Sequence, residues 1–337
     1  MFVGWMELVV LFLFFGNGMG GPLGVPPQPV DVKIDQAAPD DCLAYFAWVE
    51  SGEPSSKSEN RYEKVLADLE FRELSKALWK QLDVTVARLT ANDQSPESKA
   101  LVGLITQGTR QLLKGPGAIY LADFALQPDG IDVDAGLMLG VGEVGPSLLK
   151  RIDQFLAAIL QAPPAVVQVD GVAFHQAALG PGIPPLTWGL HQGYLLVGVG
   201  EDAIASSVAR TKTPVPSWLT RATQQSPVQK RSTVAYLNVK KSLKLMAAIA
   251  PDPDVTSFIK ASGLQKLTHL SAVSGVAGEE MVSRVTVGVD GKREGFLAAA
   301  GDGQLKKEDL RSIPADAAAA IALRINAGEA FDKIIET

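Results

Sequence analysis

The chain is poor in the residues that build chemistry. It has one cysteine, Cys42, and three histidines, His175, His191 and His269, among 337 residues. A single thiol excludes an intrachain disulfide. Cys42 opens the apolar run Leu43 to Trp48, where a thiol behaves as a small buried hydrophobe and not as a nucleophile. The three histidines lie in strand-like runs without an i, i+4 partner or a second cysteine, which argues against zinc or iron. Asp132 with Asp134, and Asp252 with Asp254, do not match the loop of a calcium hand and read as solvated charge. No serine stands in a G-x-S-x-G elbow, and Ser274 before Gly275 lacks the flanking residues.

Positive charge is also scarce. The balance of 31 Lys and Arg against 37 Asp and Glu gives −6, with no basic stripe to neutralise phosphates, so nucleic acid is excluded as a partner. An anionic membrane surface is equally unfavoured. Apolar runs are short: Leu8 to Phe15 falls well below the roughly 20 residues of a spanning helix.

That run nevertheless has the outline of an export signal over residues 1–21, because Gly18 and Gly20 supply the small-x-small pattern that a signal peptidase cleaves. Met1 to Glu7 departs from the pattern in carrying Glu7 and no Lys or Arg. A buried N-terminal strand or helix is the competing reading. No cysteine follows the run, so a lipid anchor is excluded. The expectation is a protein in the periplasm or secreted, touching the membrane only through an uncleaved N-terminus.

With 47% hydrophobic residues the chain can fill the cores of two ordinary domains or one large one. Residues 22–29 hold Pro22, Pro26, Pro27 and Pro29 among glycines and read as an extended tether. Residues 30–213 then form a first unit. Val30, Val32 and Ile34 alternate with Asp31, Lys33 and Asp35 as in a strand, and Leu43 to Val49 is a second. A helix is expected over Arg61 to Leu82, with Val65, Leu66, Leu69, Leu74, Leu78 and Leu82 in one stripe. Another starts at Ser95 as N-cap with Pro96 and Glu97 behind it, and runs to Leu113.

Ala118 to Leu126 and Ile131 to Leu139 form a hairpin whose alternation predicts an antiparallel sheet with one wet face, backed by a helix from Pro146 to Leu160. Two further hairpins turn at Asp170-Gly171 and Gln192-Gly193, and a helix follows over Asp202 to Arg210. Residues 214–230 read as a Pro-containing linker. Residues 231–337 read as a second, similar unit with strands at Thr233 to Val239, Leu267 to Ser274, Glu280 to Val289 and Gly295 to Ala300, and helices at Lys241 to Ala250 and Val255 to Ala261. The Pro-Asp opening at Pro39, Asp40 and Asp41 recurs at Pro314 and Asp316. Either a truncated third unit starts there, or that strand completes the second unit's sheet.

One motif suggests a cofactor. Gly140, Gly142 and Gly145 form a G-x-G-x-x-G between a strand and a helix, with Asp170 where a dinucleotide fold places its ribose-binding acid. Against it, the preceding strand alternates polar and apolar residues, Glu143 inside the loop repels pyrophosphate, and Asp170 sits in a hairpin turn. Tight strand-to-helix turning explains the glycines equally well, as at Gly198 and Gly200. The reading is therefore no cofactor, no metal and no catalytic residue. Tyr45, Phe46, Trp48, Trp188 and Tyr194 read as core, leaving Trp218, in the Pro-containing linker, as a candidate exposed contact.

The Pro-Asp strand opener, the paired helices, and Trp188 to Val199 running into Glu201-Asp202 resemble a family of uncharacterised bacterial exported α+β proteins. The likeness extends over most of residues 30–210. It implies an extracytoplasmic location and an α+β fold of antiparallel meanders backed by helices. The expected function is non-enzymatic binding of a partner protein, an envelope component or an apolar ligand. The alternatives are a nucleotide-dependent enzyme using the Gly140–Gly145 loop, or a hydrolase whose residues lie apart in sequence.

Overall fold

The computed structural model describes residues 23–89, 96–160, 163–226, 228–249 and 253–294, with 297, 306, 308 and 311 beyond them. The expected export signal and the Pro314 strand lie outside the described residues, as does the strand expected at Gly295 to Ala300 except for Leu297.

Alternation and turn chemistry produce β1 (Ala44–Trp48), β2 (Gly117–Gln127), β3 (Gly130–Gly140), β4 (Ala165–Val169), β5 (Val172–Ala177), β6 (Leu186–His191), β7 (Tyr194–Val199), β8 (Lys230–Leu237), β9 (Leu267–Ala277) and β10 (Glu280–Val289). They lie in one sheet in the order β10-β9-β8-β1-β2-β3-β7-β6-β5-β4. The registers from β9 to β4 are all antiparallel. The α+β class expected from the sequence is the class observed. At Asp170-Gly171 and Gln192-Gly193 both turn residues have positive φ, 52° and 76° in one, 50° and 86° in the other. Such turns match the right-handed twist of the strands they join. The centre of the sheet is nonlocal: β1 inserts between β2 and β8, with Tyr45 opposite Tyr120 on one side and Tyr236 on the other.

The helices are α1 (Val32–Gln36), α2 (Arg61–Ala67), α3 (Leu69–Leu89), α4 (Pro96–Lys114), α5 (Gly145–Leu160), α6 (Ala203–Arg210), α7 (Ser217–Gln224), α8 (Val239–Ile249) and α9 (Pro253–Ala261). The alternation at Val30 to Asp35 gives α1 and not a strand. Asp31 caps it by accepting the Lys33 N–H at 3.0 Å, and a satisfied cap outweighs a short alternating pattern. The single helix expected at Arg61 to Leu82 is broken at Asp68, whose backbone is extended and whose carboxylate accepts the Glu70 N–H at 2.9 Å to restart the helix as α3.

At Met138 and Leu139 both faces of β3 are buried, which corrects the half-polar reading there, whereas Ile119 and Asp123 of β2 and Asp132 of β3 are exposed. One core cluster joins Tyr45, Tyr120, Met138, Phe174, Leu196 and Val234 to Ile34 of α1, Ile204 and Val208 of α6, and Leu219 of α7. The other joins Trp48, Leu139 and Leu195 to Leu104 and Leu112 of α4 and Leu148 and Ile152 of α5. Successive strand residues point to opposite faces, so Met138 and Leu139 serve different cores. Leu148, Leu196 and Leu219 are nearly inaccessible, each contributing about 1.5–3 kcal/mol of transfer free energy.

The compact units differ from the two expected. One comprises the described residues up to Leu237 together with Leu270–Thr286; the other is Asn238–His269 with Val287–Thr337. Residues 214–230 are thus interior to the first unit, since α7 lies there and buries Leu219. The layout of the first unit does not recur among the described residues of the second. The expected tether is partly pinned: Val25 is buried, the Gln28 N–H donates to Glu50 O at 3.0 Å, and the Gly52 N–H donates to Pro26 O at 2.7 Å.

Candidate functional site

The Gly140–Gly145 loop does not form a phosphate cradle, because five of its six amides are already used. The Gly140 N–H donates to Pro116 O at 2.8 Å, and those of Val141 and Gly142 donate to Gly193 O at 3.0 and 3.1 Å. The Val144 N–H donates to Val141 O at 3.1 Å, and that of Gly145 to Gly142 O. Phosphate recognition at a helix start needs such groups free. Asp170 lies in the β4–β5 turn, four strands from β3, and accepts from Lys212 Nζ at 2.8 Å. That hydrogen bond and charge hold its carboxyl below the usual range. The structure does not bring these four residues together as one site.

Trp218 is a packing residue and not an exposed contact. Its ring stacks on Tyr236 at 4.1 Å and meets Tyr45 edge-on at 5.5 Å, and Nε1 donates to Pro39 O at 3.0 Å. His175 pairs through Nδ1 with Asp153 Oδ1 at 2.5 Å, and the same oxygen accepts from Trp188 Nε1 at 2.8 Å. Among the described residues no hydroxyl or thiol is hydrogen-bonded to the other nitrogen of His175, so this pair anchors α5 to the sheet without a nucleophile. Cys42 is buried.

Asp132 and Asp134 line an open cleft of 540 Å³ at the β2–β3 turn, together with Asp129, Glu201 and Asp202. Its carboxylates repel anions. Among the described residues no group of three or more His, Cys, Asp or Glu could hold a metal ion.

The arrangement that departs furthest from ordinary packing is α3. Successive helical residues advance by about 100°, so Lys76, Trp79, Lys80 and Asp83 share one face while Phe71, Leu74 and Leu78 share the opposite one. On the first of these faces Trp79 and Asp83 are half-buried beside α4, whereas Lys76 and Lys80 are exposed. Arg110 of α4 donates to Asp83 at 2.9 Å and holds its guanidinium 5.6 Å from the Trp79 ring centroid. The apolar face turns outward: Phe71, Leu74 and Leu78 are 40%, 56% and 62% exposed. Of the leucine stripe read from the sequence, Leu66 is buried, whereas Val65, Leu69, Leu74 and Leu78 are exposed. Single exposed leucines are common, but here three large apolar side chains are exposed in a row along one helix face. The contact with α4 was missed in the sequence, although Trp79 and Asp83 stand at i, i+4 on one side of the helix.

The chain matches no family model, no curated protein and no solved structure. Among the described residues no helix is long and apolar enough to cross a membrane.

Proposed function

We propose that the protein is an exported, non-enzymatic interaction protein and that the outward face of α3 is its contact surface. Export is supported by Leu8 to Phe15 with Gly18 and Gly20, and by the likeness to uncharacterised bacterial exported proteins. The observation that carries the interaction role is the outward apolar row of α3, which leaves Phe71, Leu74 and Leu78 in water. Keeping them there lowers solubility, and a partner that covers them recovers their transfer free energy.

The occupant of this face is a second copy of the chain, lying antiparallel. An antiparallel pair centred at Lys76 places Leu74 against Leu78 of the partner subunit. Opposed helix dipoles favour the antiparallel direction. A 21-residue helix is about 31 Å long, and its stripe buries less than the roughly 800 Å² per partner of a standard interface. Association is therefore weak and concentration-dependent.

Sedimentation equilibrium of the full chain, from low micromolar to near-millimolar concentration, tests this reading. Wild type is expected to show a reversible monomer–dimer equilibrium, and the double variant Leu74→Glu/Leu78→Glu to stay monomeric. A wild type that remains monomeric throughout, or a variant that dimerises as wild type does, refutes it.

A further inference from the structure

The opposite face of α3 lines a cleft of 570 Å³, walled by Lys76, Trp79 and Lys80 of α3, by Arg110 and Lys114 of α4, and by Gly52. We infer that this cleft is a binding site for a small anion carrying phosphate or carboxylate groups. The surroundings make it conspicuous, because a chain of net charge −6 gathers four cations here against two acids, Glu53 and Asp83.

Two of those cations are already neutralised. Lys76 pairs with Glu73 at 2.8 Å and Arg110 with Asp83 at 2.9 Å. Lys80 and Lys114 have no ion-pair partner among the described residues, so two positive charges on opposite walls face Glu53 alone. An anion with two charged groups bridges them. It gains charge-assisted hydrogen bonds from both ammonium groups, and the flanking bases strengthen the field inside the cleft.

The walls are held in place. The Ser51 N–H donates to Lys114 O at 2.9 Å, Ser51 Oγ donates to Leu113 O at 2.9 Å, and the Gly52 N–H donates to Pro26 O. Arg110 is fixed between Asp83 and the Trp79 ring. These contacts fix the backbone and Arg110, while the exposed Lys80 and Lys114 side chains are ordered by the anion they bind. Trp79 and Leu113 add apolar surface to the lining, which accepts the carbon skeleton of an organic anion. The cleft and the outward leucines lie on opposite faces of one helix, so ligand and partner copy do not compete.

Isothermal titration of the full chain with pyrophosphate, and separately with citrate, tests the site. Saturable binding weakened about ten-fold in Lys80→Gln/Lys114→Gln is expected, since two charge-assisted contacts are removed, together with weakening by added salt. Pyrophosphate bound without citrate identifies phosphate as the ligand chemistry, citrate without pyrophosphate identifies carboxylate, and both identify anion charge alone. Each supports the site. Failure of both probes to saturate, or wild-type affinity in the lysine double variant, overturns it. Leu74→Glu/Leu78→Glu is expected to bind these probes as wild type does, which separates this inference from self-association.

Discussion

Truncating Leu74 to alanine is chemically the same change as truncating Leu219, yet the two should behave very differently. Leu219 is fully buried beneath the sheet in the core that α7 closes. Removing its side chain beyond Cβ loses transfer free energy and leaves a cavity, a combined cost of about 2–5 kcal/mol. Leu74 is 56% exposed, so less than half of a leucine's roughly 1.5–3 kcal/mol is at stake, and alanine returns a little through helix propensity. The net cost at Leu74 should stay below about 1 kcal/mol. Urea unfolding followed by circular dichroism and tryptophan fluorescence reads both, at low micromolar protein so that self-association adds nothing. With each kcal/mol worth about 2–4 °C in a unit of this size, Leu219→Ala should also melt visibly earlier and Leu74→Ala should not. A loss of 2 kcal/mol or more at Leu74 in monomeric protein would show that this face packs inward, and the assignment of α3 as a contact surface would fall with it.

Asp35 and Arg231 form an ion pair at 2.6 Å with side chains only 11% and 9% exposed. Asp35→Ala should therefore cost about 3–5 kcal/mol by stranding a buried guanidinium, while Asp35→Leu/Arg231→Met should recover most of it in the same urea assay. A methyl group at Gly117 would sit 2.4 Å from the Trp48 ring, and one at Gly136 2.5 Å from the Tyr120 hydroxyl. Gly117→Ala and Gly136→Ala should each destabilise by about 1–3 kcal/mol, and thermal melts matching wild type would contradict that packing. Burial, followed by the negative charges of Cys42 and Asp41, pushes the Tyr236 hydroxyl up to about 12. The unfolded chain releases that proton near pH 10 while the native protein holds it, so the stability due to Tyr236 is intact below pH 10 and declines between about 10 and 12. Tyr236→Phe should flatten the decline in urea midpoints measured across that window. Because five of the six amides of the Gly140–Gly145 loop are engaged, titration with NAD or ATP should give no saturable binding that Gly142→Val abolishes; a nucleotide bound by wild type and lost in that variant would restore the cofactor reading.

How much could be read in advance depended on whether a signal was local. The hairpins at Asp170-Gly171 and Gln192-Gly193 were legible because the turn residues themselves set the backbone. The helix beginning at Pro96 and the one ending at Leu160 were legible from spacing alone. Val30 to Asp35 misled because six alternating residues are consistent with a strand until Asp31 caps a helix. The division of the chain was misplaced for a different reason. Pro214 and Pro216 suggest a linker, and only the packing of Leu219 and Trp218 against Tyr45 and Tyr236 shows that this stretch belongs to a core.

The sequence by itself determined the ten strands of the described sheet, most of the helices, the antiparallel hairpins and the α+β class, since alternation, helical periodicity and turn residues act within a few positions of each other. It also determined that Cys42 has no disulfide partner within the chain. Tertiary structure alone decided that both faces of β3 are covered at Met138 and Leu139, because Met138 clusters with residues of α1, α6 and α7, far away in sequence. It decided the fate of the four candidate cofactor residues by spending the loop amides on Gly193 and Pro116. It also decided which way α3 faces. A helical stripe tells where apolar side chains align, but which side meets the protein depends on its neighbours, and here Arg110 of α4 takes the side carrying Trp79 and Asp83 and leaves Phe71, Leu74 and Leu78 to water.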